Sequence, residues 1–295
     1  MRFTLRQLEV FLAVAQHESV SRAADDLAMS QSAVSGALAD LERQFEMQLF
    51  ERLGKRVQLS GLGRSLRPRA HALLEQATEL ESGLSNQNAV GLLRVGATLT
   101  IGNYLMVPEI ARFMREHPGA RVTLDVANTA EIVRQVLNFE IDIGMIEGEL
   151  HEPELEVTRW RPDELVVFCA PNHGFAKKRS LSDTDLIHAP WIVRERGSGT
   201  RQAFDRAMHG ILSELEIVLE LQHTEAIKSA VEAGLGVGCV SRIALEEAFS
   251  YKTLVPCRVP QRDFHRFFYV LMHKQKYQSA NMRKLLAQFR ERGVS

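Results

Sequence analysis

The chain has 295 residues, 45% of them hydrophobic and 25% charged, which is the profile of an ordinary globular protein of two or three domains at about 100–200 residues each. A formal net charge of -1 excludes a polybasic chain, so any binding of nucleic acid must use locally concentrated positive charge. Cys169, Cys239 and Cys257 are widely separated and odd in number, which fits neither a metal-ligand spacing nor a disulfide framework; they read as incidental thiols of a reducing cytoplasm.

The start, MRFTLRQLEVF, lacks the apolar core of a signal peptide, and no apolar run approaches the ~20 residues that a membrane helix requires. A cytoplasmic protein without membrane contact is expected. Leu5–His17 is an amphipathic helix with Leu5, Leu8, Phe11, Leu12 and Ala15 on one side. The stretch from Val20 to Arg52 follows as two short helices joined by a tight turn. Ser19 caps the first, and Ala23, Ala24 and Leu27 share a face. Ser30 caps the second, where Val34, Leu38, Leu41 and Phe45 form one apolar stripe. The opposite face opens with Gln31, Ser32 and Ser35, short polar side chains suited to reading base edges in a major groove.

These residues give the stretch its likeness. Ala23-Ala24, Leu27, Ser30-Gln31-Ser32-Ala33-Val34-Ser35, Leu41-Glu42 and Leu49-Phe50-Glu51-Arg52 together resemble the DNA-binding domain of LysR-type transcriptional regulators. Two positions depart from the family pattern: Ser32 stands where many members have proline, and Glu46 where they have glycine at a helix C-cap. The resemblance implies double-stranded promoter DNA, a small-molecule effector and RNA polymerase as partners, and no catalysis.

Beyond Arg52 come Lys55, Arg56, Arg64, Arg67 and Arg69 with no acid among them, and Arg56-Val57-Gln58-Leu59 after Gly54 reads as a turn and the strand of a wing. Arg22, Arg52, Lys55, Arg56 and Arg64 are the candidates for backbone phosphates. Ser60 caps a long helix, Gly61–Ser85, carrying Leu62, Leu66, Ala70, Leu73, Ala77, Leu80 and Leu84 near heptad spacing, with Pro68 close to its start. Its stripe needs a partner, and an identical helix of a second subunit is the simple answer. Two recognition helices reach grooves ~34–36 Å apart only when two heads are held together. A homodimer, and from it a homotetramer, is expected.

Residues 85–91 are polar and read as a hinge. Strands and helices then alternate: strand Leu92–Thr98, helix Gly102–His117, strand Val122–Val126, helix Ala130–Asn138, strand Ile141–Ile146. Strand Leu165–Ala170 carries the chain toward a second subdomain. There Trp191–Arg194, Glu216–Leu221 and Val237–Val240 read as strands, and Arg201–His209 and Thr224–Ala233 as helices. Strand Phe267–Met272 returns, and helix Ser279–Arg290 closes the chain. The family resemblance extends over this half and implies two α/β subdomains like those of periplasmic binding proteins, joined by two crossing strands. The expected architecture is therefore α+β. A winged helix-turn-helix (1–60) is followed by a linker and dimerisation helix with its hinge (61–90) and an effector domain (91–295). The effector domain divides into subdomain I, 91–167 and 263–295, and subdomain II, 168–262.

Ligands of such sheets lie beyond the C-terminal strand ends, at helix N-termini. Thr98, Thr100, Asn128, Thr129 and Glu147 occupy those places on one side, and Arg196, Ser198, Thr200 and His223 on the other. A small anionic effector gripped mainly by Thr98, Thr100, Thr129, Ser198 and Thr200 is expected, with Arg194, Arg196 and Arg201 as neutralising groups and no cofactor or metal. The segments GATLTIGNYL, NTAEIVRQV and GSGTR look most like the branch of the family linked to sulfur or one-carbon inorganic-anion control. Gly-x-Ser-x-Gly, Walker and His-Glu-x-x-His patterns are lacking. The competing reading is a solute-binding module or enzyme whose helical head binds protein.

Overall fold

The computed structural model describes residues 2–53, 56–84 and 92–292. The expected turn at Gly54, Lys55 and the expected hinge at 85–91 lie outside them. Three helices and a hairpin make the head: α1 (Leu5–His17), α2 (Val20–Asp26), α3 (Gln31–Phe45), β1 (Phe50–Leu53) and β2 (Arg56–Leu59). Local side-chain chemistry fixes each helix start. Thr4 and Gln7 form a capping box on α1, Ser19 Oγ accepts the Arg22 N–H, and Ser30 Oγ accepts the Ala33 N–H. Val10, Phe11, Val14, Ala23, Ala24, Val34, Leu38 and Leu41 then meet Leu49 and Phe50 of the wing in one core. Leu5 and Phe45, placed on the core stripes by periodicity, are exposed, because each sits at the outer end of its helix, beyond the point where the helices touch.

Helix α4 (Gly61–Leu84) runs on through Pro68. Ser60 Oγ accepts the Gly63 N–H and donates to the Gln48 carbonyl, so the cap also ties the helix to the head. The apolar stripe divides: Leu66 and Ala70 pack on the head core, whereas Leu62, Leu73, Leu80 and Leu84 are exposed. The part of the stripe open to a partner is thus shorter than heptad spacing suggests.

The effector half carries a sheet with strand order β4-β3-β5-β11-β6-β9-β7-β8, and β10 pairs with β6. In subdomain I, β3 (Leu92–Thr98) lies parallel between β4 (Arg121–Ala127) and β5 (Ile143–Glu147). Helices α5 (Leu99–Ile101), α6 (Val107–Glu116) and α7 (Thr129–Leu137) connect them. The first helical stretch starts at Leu99, three residues before the sequence reading, and Gly102–Met106 is a widened π turn. Pro108 explains the widening: it has no N–H, and its ring crowds the carbonyl four residues back. Gly102 is required by packing, since a Cβ there would stand 2.8 Å from Val126.

The 15-residue strand β6 (Leu155–Cys169) crosses between subdomains. Its first part pairs with β11 (His265–His273), and Leu165–Phe168 pairs with β9 (Val237–Ser241). Only Leu165–Ala170 reads as strand in the sequence. The earlier half, which carries several charged residues and Pro162, is assigned no element there; the neighbouring β11 supplies its pairing. Subdomain II adds α8 (Asp183–Ile187), β7 (Pro190–Arg194), α9 (Gly199–Ala207), β8 (Glu216–Leu221), α10 (Thr224–Glu232), α11 (Glu246–Ser250) and β10 (Val255–Cys257). The elements α8, α11 and β10 are three to five residues long, too short to show periodicity. The three cysteines are free, buried thiols of this subdomain, with Cys169 and Cys257 Sγ atoms 3.4 Å apart. Helix α12 (Ala280–Arg292) returns to cover subdomain I, where Phe289 packs on Trp160.

Helix α3 ends in a Schellman turn. The Met47 N–H reaches the Glu42 carbonyl and the Glu46 N–H the Arg43 carbonyl, with Glu46 left-handed at φ 52°. An L-residue is strained in that conformation and glycine is not. Glu46→Gly is therefore expected to stabilise the chain by about 0.5–1 kcal/mol, read as a higher urea midpoint at unchanged slope.

Candidate DNA-reading face and ligand cleft

Gln31, Ser32 and Ser35 are exposed on the first turns of α3, opposite the buried Val34 and Leu38. Ser32 Oγ lies 3.0 Å from the capping Ser30 Oγ. Arg22 is exposed on α2, and Arg52 and Arg56 fall on the two wing strands, paired with Val57 and Leu53. Arg64 is exposed, but its Nη1 donates to the Leu59 carbonyl at 2.7 Å, so one edge of that guanidinium is committed to the wing. Sequence reasoning missed the part played by Glu42. Its Oε1 accepts the Leu49 N–H at 2.7 Å and the Phe50 N–H at 3.2 Å, fixing the wing to the end of α3. The Leu41-Glu42 pair contributes to the family likeness, yet nothing in local spacing shows what the carboxylate holds.

The cleft lies where the two subdomains meet. Thr98 ends β3, Glu147 ends β5 and Thr129 opens α7. From the other side come Ser198, Gly199 and Thr200 at the start of α9, with His223 before α10. Thr98, Thr100, Glu147, Ser198 and Thr200 are buried, Asn128 and Thr129 half-buried, Arg196 and His223 exposed. Gly199 permits the closest approach: a Cβ there would fall 2.2 Å from the Glu147 carbonyl oxygen. Its N–H donates to Thr129 Oγ1 at 3.1 Å. Thr200 Oγ1 donates to Glu147 Oε2 at 2.9 Å.

Arg266, on β11, completes this centre, and sequence reasoning missed it. Nη1 donates to Glu147 Oε2 at 3.2 Å and to Thr200 Oγ1 at 3.1 Å. Nε donates to Asp163 Oδ2 at 2.7 Å, and Ser241 Oγ donates to the other Asp163 oxygen at 2.7 Å. Arg266 precedes an apolar strand by one residue and has no signature of its own; three strands distant in sequence bring its partners to it. Burial works to raise the Glu147 pKa, but Arg266, Thr100, Arg194 and Thr200 outweigh it and hold the carboxyl below its usual value. Among the described residues, Thr98 Oγ1, Glu147 Oε1 and Arg266 Nη2 are buried polar atoms without a hydrogen-bond partner.

Several expected roles change. Arg201 is not a neutralising group of the cleft: its guanidinium is committed to Asp205, Glu220 and the Arg194 carbonyl. Arg194 is buried and pairs twice with Glu195, at 2.8 and 2.9 Å, with Thr224 Oγ1 at 3.5 Å. Asn128 caps α7 by accepting the Glu131 N–H, and Ser198 caps α9 by accepting the Thr200 N–H. Thr129 and Thr200 instead make the contacts between subdomains.

Residues 5–64 match the family model "Bacterial regulatory helix-turn-helix protein, lysR family", and residues 86–294 match "LysR substrate binding domain". The HTH-type transcriptional regulator YeiE of Escherichia coli strain K12 is 44% identical over 97% of both chains. A full-length OxyR variant from Pseudomonas aeruginosa superposes with a TM-score of 0.74 at 20% identity, covering 98% of this chain and 95% of that one. The CcmR regulatory domain of Synechocystis PCC6803, solved with 2-PG, gives a TM-score of 0.63 at 28% identity over 68% of this chain and 95% of its own.

Truncating one partner of a buried ion pair strands the other. Arg266→Ala leaves Glu147 and Asp163 facing no cation of the pair and is expected to cost about 3–5 kcal/mol, measured by urea unfolding of the full chain. A cost below about 1 kcal/mol would mean that the pair does not hold the subdomains together.

Proposed function

The chain belongs to the LysR family of bacterial transcriptional regulators, and on that premise we propose that a small anion bound between its two subdomains sets its action on promoter DNA. It binds DNA through its head and carries an effector-binding domain; it is a regulator and not an enzyme. The observation that carries the anion reading is the chemistry of the subdomain contact. Polar groups make it, and helices α7, α9 and α10 all begin there. N–H groups and the helix dipole favour negative charge at such ends. On α10 no side chain caps the first turn, which leaves its N–H groups for a ligand. Arg266 keeps Nη2 uncommitted, while on the far side its Nε pairs with Asp163, which also accepts the Ser241 hydroxyl. The CcmR regulatory domain, which shares this fold, takes a small ligand, 2-PG.

Thr98, Thr100, Thr129 and Ser198 hold the anion in this reading, Thr200 stays bonded to Glu147 and Arg266 beside it, and the exposed Arg196 and His223 border the entrance. Binding favours one spacing of the subdomains, and only a difference in affinity between two arrangements drives the shift. Leu73, Leu80 and Leu84 of α4 take a second copy of the chain. The resulting dimer presents two copies of α3 to successive major grooves. Pairing of dimers and contact with RNA polymerase follow at the promoter.

Thermal unfolding of the full chain against a panel of inorganic oxyanions and small carboxylates tests the anion. A ligand at about 100 times its Kd adds about 2.7 kcal/mol. Thr100→Val should weaken the effective ligand at least tenfold; an undiminished shift removes Thr100 from the site. On the DNA side, Gln31→Ala should cost about 1–3 kcal/mol on the cognate site and relax its sequence preference. Arg22→Ala should weaken binding on every sequence and reduce the salt slope by about one, as read by titration at several salt concentrations.

A further inference from the structure

One ridge of the linker helix faces the chain's own effector domain. Arg67, His71, Glu75 and Glu79 recur every fourth residue along α4. Arg67 donates through Nη1 to Asn138 Oδ1 at 3.0 Å and through Nη2 to the Asn138 carbonyl. The His71 ring stacks on Phe139, centroids 4.9 Å apart and planes at 16°, and Phe139 also meets the His273 ring, tilted, at 4.3 Å. Lys276 joins Glu75 to Asp142. Glu79 accepts the Tyr277 hydroxyl at 2.7 Å and the Ala280 N–H at 3.4 Å.

Two features make this contact separable. The head core gathers residues 3–74 and the subdomain I cores begin at Leu93; no hydrophobic cluster among the described residues contains both. The seam therefore holds by polar pairs and a ring stack, as interfaces that open do. The second feature is backbone strain. Helix α7 ends in a Schellman turn, Phe139 N–H to Val136 and Glu140 N–H to Gln135, that puts Phe139 in the left-handed region at φ 56°. Glycine is the ordinary residue there. A phenylalanine held in that conformation offers its ring to His71, and burial among cations pushes the His71 pKa down to about 3, which keeps that ring neutral for stacking.

The other end of α7 lies in the cleft, where Thr129 Oγ1 accepts the Gly199 N–H. One nine-residue helix thus touches the opposite subdomain at its start and the linker helix at its end. We propose that Arg67, His71, Glu75 and Glu79 form a releasable latch between the DNA-binding head and the effector domain of the same chain, and that α7 couples the latch to the cleft. The inference rests on the proposed function for the cleft as the ligand's place, but its test uses no ligand, so either can fail without the other.

Hydrogen exchange of the full chain, read at amides 75–80 of α4 beyond the head core, measures the latch. Phe139→Gly removes a buried ring and the stacking partner of His71, so exchange at amides 75–80 should rise at least fivefold relative to amides of the subdomain II core, which the substitution does not touch. The double substitution Glu79→Gln with Tyr277→Phe, at the rim of the seam, should raise the same amides. Thr129→Val, at the far end of α7, should raise them as well. Exchange within twofold of the parent in both seam variants overturns the latch. An effect of Thr129→Val confined to cleft amides overturns the coupling through α7.

Discussion

The guanidinium of Arg266 is the interaction on which the effector half depends. It is fully buried, and its two carboxylate partners are 1% exposed. Removing three charges from water is expensive, and replacing such a group by packed hydrophobic residues is often neutral or stabilising. Its value lies in what it brings together. Arg266 is on the returning strand β11, Asp163 on the outgoing strand β6, and Glu147 at the end of β5. Both crossings between subdomains, and the strand end that faces the cleft, are therefore referred to one atom group. Thr200 joins that group from subdomain II, so the spacing of the subdomains and the shape of the cleft are one property.

The head solves a different problem. The chain as a whole has a formal charge of -1, yet duplex binding draws most of its affinity from neutralised phosphates. Charge is concentrated instead. No acid interrupts the run from Arg52 to Arg69, and Arg52 and Arg56 belong to the two paired wing strands. Glu42 lies close to this basic surface but turns inward to the Leu49 and Phe50 N–H groups. It thereby ties the wing to the end of α3. Local chemistry decides the binding surface, and the net charge says only that the remainder of the chain compensates.

Legibility in the sequence follows the range of the interactions. Helix α1 and strand β8 have the bounds that their patterns give, and Ser19, Ser30 and Ser60 cap the expected helices, because each depends on residues within one or two turns. The first half of β6 is hidden, since its strand character comes from β11, about a hundred residues away in sequence. Arg201 reads as a cleft residue beside Gly199 and Thr200, but a helix turns its side chains through 100° per residue, and this one faces Glu220 on β8. Arg266 and Asp163 are invisible for the same reason as β6. Polar residues in a strand pattern reveal their burial only when the partner strand is known.

The five hydrophobic clusters among the described residues mark units that resist change. Emptying a site inside one of them costs about 2–5 kcal/mol, as large-to-small core changes do. Contacts between the clusters are of another kind: Thr129 with Gly199, Thr200 with Glu147, Lys276 with Glu75, Arg67 with Asn138. These four are buried or half-buried, so each is worth more than the about 0–1 kcal/mol of an exposed pair, up to about 3–5 kcal/mol where a buried charge would be left alone. A ligand shifts an equilibrium only by its preference for one state, and moving a two-state system from 1:99 to 99:1 takes roughly 5.5 kcal/mol. That is enough to exchange one or two such contacts and too little to repack a core. On the proposals made above, a ligand therefore acts on polar joints and not on the cores, and the cleft and the linker seam, at the two ends of helix α7, are two such joints.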